Sequence, residues 1–85
     1  MTATSSEQDQ REHFAYCVQV FGGVTAASRR LGIDERALRR FISGEKPFGT
    51  RLLEDTAHAL QALIAEATAA ESQLAAMLAG QSSTT

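Results

Sequence analysis

Apolar and polar positions along this chain repeat at helical spacing in four blocks, separated by breaks that contain glycine or proline. In the first block Phe14, Cys17, Val18 and Phe21 recur at i, i+3, i+4 and i+7, the buried stripe of one helix. Its start has capping-box spacing at Ser6 and Asp9 or at Ser5 and Gln8, and Gly22-Gly23 ends it. The second block, residues 24–31, is capped by Gly23 or Thr25. It carries Ala26, Ala27 and Leu31 as its apolar side and Arg29 and Arg30 as its exposed side. Ser28 is small enough for another helix to approach closely. Gly32 then takes a left-handed stop, Ile33 tucks into the core, and Asp34 caps a third helix over residues 34–43 that Gly44 terminates. Residues 45–49 form a loop in which Pro47 blocks helix extension and Phe48 plugs the core.

From Thr50 the pattern is helical with no breaker before Gly80, a rod of roughly 45 Å at 1.5 Å per residue. Leu52, Leu53, Ala57 and Leu60 are expected to complete the core of the first three helices. Beyond them Leu63, Ile64, Ala67, Ala70, Leu74, Met77 and Leu78 form an apolar stripe with nothing left in the chain to bury it. Seven-residue rows such as Leu53, Leu60, Ala67, Leu74 favour helix-to-helix pairing, and the alanines allow close approach. The expected architecture is therefore all-α. Residues 6–49 form the core, residues 50–80 form a long helix that completes it and dimerises, and 1–5 and 81–85 are tails.

Eighty-five residues make one domain with a small core, for which self-association is an expected source of stability. One cysteine excludes an internal disulfide framework, and Cys17 reads as a small buried hydrophobe. The first residues lack the basic and apolar regions of a signal peptide, and no apolar run is long enough to span a bilayer. A cytoplasmic, nucleoid-associated location is expected, with no membrane partner. His13 and His58 lie far apart, and no Cys/His/acid cluster has metal-ligand spacing. No nucleophile–base set and no phosphate-cradling loop occurs, so neither an enzyme nor a cofactor is expected.

The formal charge of −2 conceals a division. Residues 22–51 hold seven of the eight basic side chains and three acids, a local +4, while the remainder carries −6. The distribution, not the total, sets the potential that a polyanion meets. On the third helix Leu38, Phe41 and Ile42 share the core face. Arg36 and Arg40, four apart, point nearly opposite; Ser43 joins them, and Arg39 lies on the flank. A helix of barely three turns has no packing use for three arginines. Guanidinium forks match both phosphate oxygens and the guanine edge in the major groove.

These residues give the chain a resemblance to the helix-turn-helix of bacterial and phage regulators, in particular the lambda-repressor/Cro-like group. The matching pattern is Ser28, Gly32, Ile33, Asp34, the variable Glu35-Arg36-Ala37, then Leu38, Phe41 and Gly44. Gly23-Val24-Thr25-Ala26-Ala27 also resembles the start of the helix-turn-helix of LysR-type regulators. The likeness spans roughly residues 21–60, with Ser28 where the group usually has alanine. It implies sequence-specific, non-catalytic binding of double-stranded DNA as a transcriptional regulator, a repressor or autorepressor of phage or mobile-element type. Such a homodimer reads an inverted-repeat, palindromic operator, and no small-molecule ligand is expected because no effector domain fits in the length. Glu35, Arg36, Arg39 and Arg40 are the expected base-contacting residues, and Thr25, Arg29, Ser43, Lys46 and Arg51 the expected phosphate contacts. Two alternatives share the same head: an assembly protein similar to a phage terminase small subunit, and a DNA-binding antitoxin whose C-terminal helix neutralises a toxin.

Overall fold

The structure, a computed structural model, describes residues 7–47 and 49–83, the side chains of 82 and 83 excepted. It consists of four helices: α1 (Glu7–Phe21), α2 (Val24–Leu31), α3 (Glu35–Ser43) and α4 (Thr50–Ser83). Among the described residues there is no strand. The caps read at Ser5 and Ser6, the plug read at Phe48 and the tail at 84–85 lie outside the described residues.

The four-residue stripe of α1 is buried as its spacing requires: Phe14, Cys17, Val18 and Phe21 are all under a tenth exposed. Burial raises the Cys17 thiol above its ordinary range, opposed by a backbone hydrogen bond. Ala27 of α2 and Leu38 of α3 are fully enclosed, and Phe41 meets Phe14 edge-on with ring centroids 6.5 Å apart. Val24, Leu31, Ile33 and Ile42 pack half-buried around this centre. The small Ala27 lets α2 lie close to its neighbours, where a larger side chain would hold them apart.

Two junctions fix the directions of the short helices. At the first, Gly22 and Gly23 both take positive φ, and Gly23 is the N-cap of α2, its carbonyl accepting from Ala27 N–H at 2.9 Å. That settles the choice between Gly23 and Thr25. At the second, Gly32 sits at φ 68°, ψ 31°, and both Gly32 N–H and Ile33 N–H donate to the Ser28 carbonyl. The Ser28 hydroxyl donates in turn to the Ile33 carbonyl at 2.6 Å. Ser28 therefore does more than permit close approach: it ties the turn to the end of α2 in both directions.

The core contribution of α4 differs from the sequence expectation. Leu52 is buried and Leu60 half-buried, but Leu53 and Ala57 are exposed. Thr56 takes the buried place instead, at 5% exposure. Its hydroxyl is satisfied by the Leu52 carbonyl at 2.7 Å, which removes the cost of enclosing a polar group one turn further along. Leu63, read as an interface residue, packs half-buried against the head core. The helix also runs on to Ser83 rather than ending at Gly80. A glycine inside a helix costs only about 1 kcal/mol relative to alanine, too little to stop an alanine-rich helix of this length, and Gly80 has no left-handed φ.

α3 packs against α1 and α2, and α4 packs against those same two helices, but α3 and α4 do not pack on each other. Leu38 of α3 and Leu52 of α4 nevertheless belong to the same buried cluster. Among the described residues none covers the outer face of α3, where Arg36, Arg39, Arg40 and Ser43 are exposed.

Candidate nucleic-acid interface

Local chemistry builds α3. Asp34 has extended backbone angles, and its carboxylate accepts from Arg36 N–H at 3.0 Å, satisfying a free amide of the first turn. Leu38, the first apolar position, is wholly enclosed and anchors the helix. At the other end Gly44 is left-handed at φ 93°, and the chain folds back so that the N–H groups of Gly44, Glu45 and Lys46 all reach the Arg40 carbonyl. This fold-back holds Glu45 and Lys46 beside the C-terminal turn of α3.

With that core face fixed, positions 36, 39, 40 and 43 fall at i, i+3, i+4 and i+7 on the outward side. Arg36, Arg39, Arg40 and Ser43 are exposed and, with Glu45, line one open depression of about 420 Å³. Arg39 lies 3.5 Å from Glu35, and Arg40 Nε lies 3.5 Å from Glu45. Both pairs are exposed and contribute at most about 1 kcal/mol each, so an incoming anion competes with them readily. Among the described residues no acid pairs with Arg36. The Ser43 hydroxyl donates to the Arg40 carbonyl at 3.2 Å and retains its own acceptor capacity.

The remaining candidates are distributed around this strip. Lys46 Nζ sits 5.4 Å from the centroid of the Phe41 ring, beside the end of α3 and exposed. Thr25 and Arg29 are exposed on α2. Arg51 is exposed in the first turn of α4, 3.6 Å from Asp55. The structure therefore brings together Arg36, Arg39, Arg40 and Ser43, with Glu35 joined to them through Arg39, and leaves Lys46 and Arg51 outside the lining of the depression.

Two arginines have roles that the sequence does not disclose. Arg30 is not simply exposed. Its guanidinium donates twice to Glu66 of α4, at 2.5 and 3.4 Å, and this pairing holds the Glu66 carboxyl below the ordinary range for a glutamate. Arg30 thus fastens α2 to α4. Arg11, outside the basic stretch of sequence, lies against the C-terminus of α3: a Cβ on Gly44 would stand 3.1 Å from its guanidinium. A cation there complements the negative end of the helix. Only the tertiary fold brings α1 over Gly44, so no local sequence signal marks Arg11.

Among the described residues no group of three or more His, Cys, Asp or Glu side chains could hold a metal ion, and no helix is long and apolar enough to cross a membrane. Comparison of the chain with family models, with curated proteins and with solved structures returned no match.

Proposed function

We propose that this protein binds double-stranded DNA sequence-specifically as a homodimeric transcriptional regulator, a repressor or autorepressor, with α2, the Gly32 turn and α3 acting as a helix-turn-helix. One observation carries the reading. A short helix, capped at both ends and pinned by Leu38, holds Arg36, Arg39, Arg40 and Ser43 exposed along its outward face, with none of the described residues covering them. Helix width and groove width match, and α3 enters the major groove while α2 crosses the backbone. Arg36 and Arg40 read base edges. Arg39 and Glu35 lie at the rim of the same strip, where Arg39 reads a base or holds a phosphate and Glu35 accepts from a cytosine amino group. Thr25 and Arg29 from α2, Ser43, Lys46 and Arg51 grip phosphates and supply most of the affinity. Two heads related by a twofold read an inverted repeat with half-sites about one turn, roughly 34 Å, apart.

Binding of duplex DNA by two variants tests this assignment. Arg36→Ala costs about 1–3 kcal/mol on the preferred sequence and relaxes the choice at one base pair, whereas Lys46→Ala weakens all sequences alike and flattens the salt dependence. Variants that bind preferred and random duplexes as the wild type does would remove α3 from the interface.

A further inference from the structure

α4 is divided into two halves of equal length. Its contacts with the head end at Leu63, which packs on the core, and at Glu66, which pairs with Arg30. That is the midpoint of the 34-residue helix. Every residue from 64 to 81 is exposed, and Ile64, Leu74, Met77 and Leu78 are each exposed by more than half.

The first half carries a complementary feature. Between α1 and α4 lies a groove of about 400 Å³, with His13, Phe14 and Cys17 on one wall and Leu53, Ala57 and Leu60 on the other. Leu53 and Leu60 share one face of α4 with Ala67, Leu74 and Leu78, drifting by only about 20° per heptad. The apolar stripe of the free half is thus the direct continuation of the groove's own wall, interrupted once by Glu71.

We infer that two copies of this chain pair antiparallel along α4, the free half of each lying in the α1–α4 groove of the other. The inference rests on the dimer proposed above and fixes its geometry. Three features select the antiparallel sense. The free half matches the grooved half in length, so an axis near Ala67 superposes each on the other. The groove is open between α1 and α4, where a bare helix can enter it, whereas a second grooved half brings its own α1 with it. In-register parallel pairing also sets Glu71 against Glu71 at helix-packing distance, whereas an axis near Ala67 moves the two carboxylates roughly 12 Å apart along the rod.

The mass of the unaltered full chain and of the chain with Cys17→Ala and a spin label on Ala79→Cys is measured by light scattering, the unaltered chain deciding the oligomeric state, and label distances are read by pulsed electron resonance. A dimer with labels about 36 Å apart or more along the helix axis is expected, since twelve residues separate Ala79 from the axis on each side. Labels within about 20 Å, the reach of neighbouring helices, mean parallel pairing and overturn the inference while leaving the dimeric regulator intact. A monomer, or a ring of many subunits, overturns both the geometry and the dimer. Leu78→Glu on the free half and Ala57→Glu on the groove wall each abolish the dimer if the two surfaces meet. Circular dichroism separates that loss from unfolding of the head. A dimer that survives Ala57→Glu at wild-type strength excludes the groove.

Discussion

At the scale of single residues the account turns on positions where one conformation or one contact has no substitute. Gly32 holds φ 68° between α2 and α3, with no neighbour within 4 Å of where a Cβ would stand. Space is therefore not the constraint; the backbone conformation is. A left-handed residue with a side chain costs about 1–2 kcal/mol, so Gly32→Ala lowers stability by that amount in a denaturant titration without leaving a packing defect. An unchanged midpoint would mean that the turn relaxes into another conformation, and the orientation of α3 would no longer be set there. The sequence discloses this residue because glycine, a following hydrophobe and a capping aspartate occur together. It does not disclose the second role of Ser28, whose hydroxyl reaches Ile33 only once the turn has closed.

At the scale of elements, helix existence and faces were legible and their partnerships were not. The i, i+3, i+4, i+7 stripe of α1 and the i, i+3, i+4 triplet Leu38, Phe41, Ile42 of α3 locate the core-facing residues because each of these helices has one face to hide. α4 has two neighbours and a free half, so its wheel alone did not separate Leu53 from Thr56. The link between α2 and α4 was hidden too, because Arg30 and Glu66 are 36 residues apart. Its chemistry gives a pH dependence. Folding lowers the Glu66 carboxyl because Arg30 donates to the ionised form. A group lowered on folding stabilises above its unfolded value and loses that stabilisation as pH falls through the depressed folded value. The difference in melting temperature between wild type and Glu66→Gln is therefore present at neutral pH, shrinks with added salt, and disappears in acid below that value. A difference that persists there would assign the effect to packing rather than charge.

At the scale of the whole molecule, the extents of 57 × 36 × 17 Å describe a small head on a rod that outreaches it. This shape is legible in the apolar positions of the sequence that are left over once the core is filled. A heptad row is the same in both directions, so the sequence does not specify the sense of the proposed pairing. On the proposed pairing a second copy covers the exposed leucine, isoleucine and methionine of the rod, so the melting temperature is expected to rise with protein concentration. A melting temperature constant over a hundredfold concentration range would contradict a dimer coupled to folding.

The claim on which these scales converge is that the outward face of α3 reads a base sequence. Selection of bound duplexes from a random pool tests it most directly. The account predicts enrichment of an inverted repeat whose half-site centres lie about one helical turn apart, with guanines among the fixed positions where arginine forks meet base edges. Failure to enrich any sequence, with binding that depends on salt alone, would contradict it.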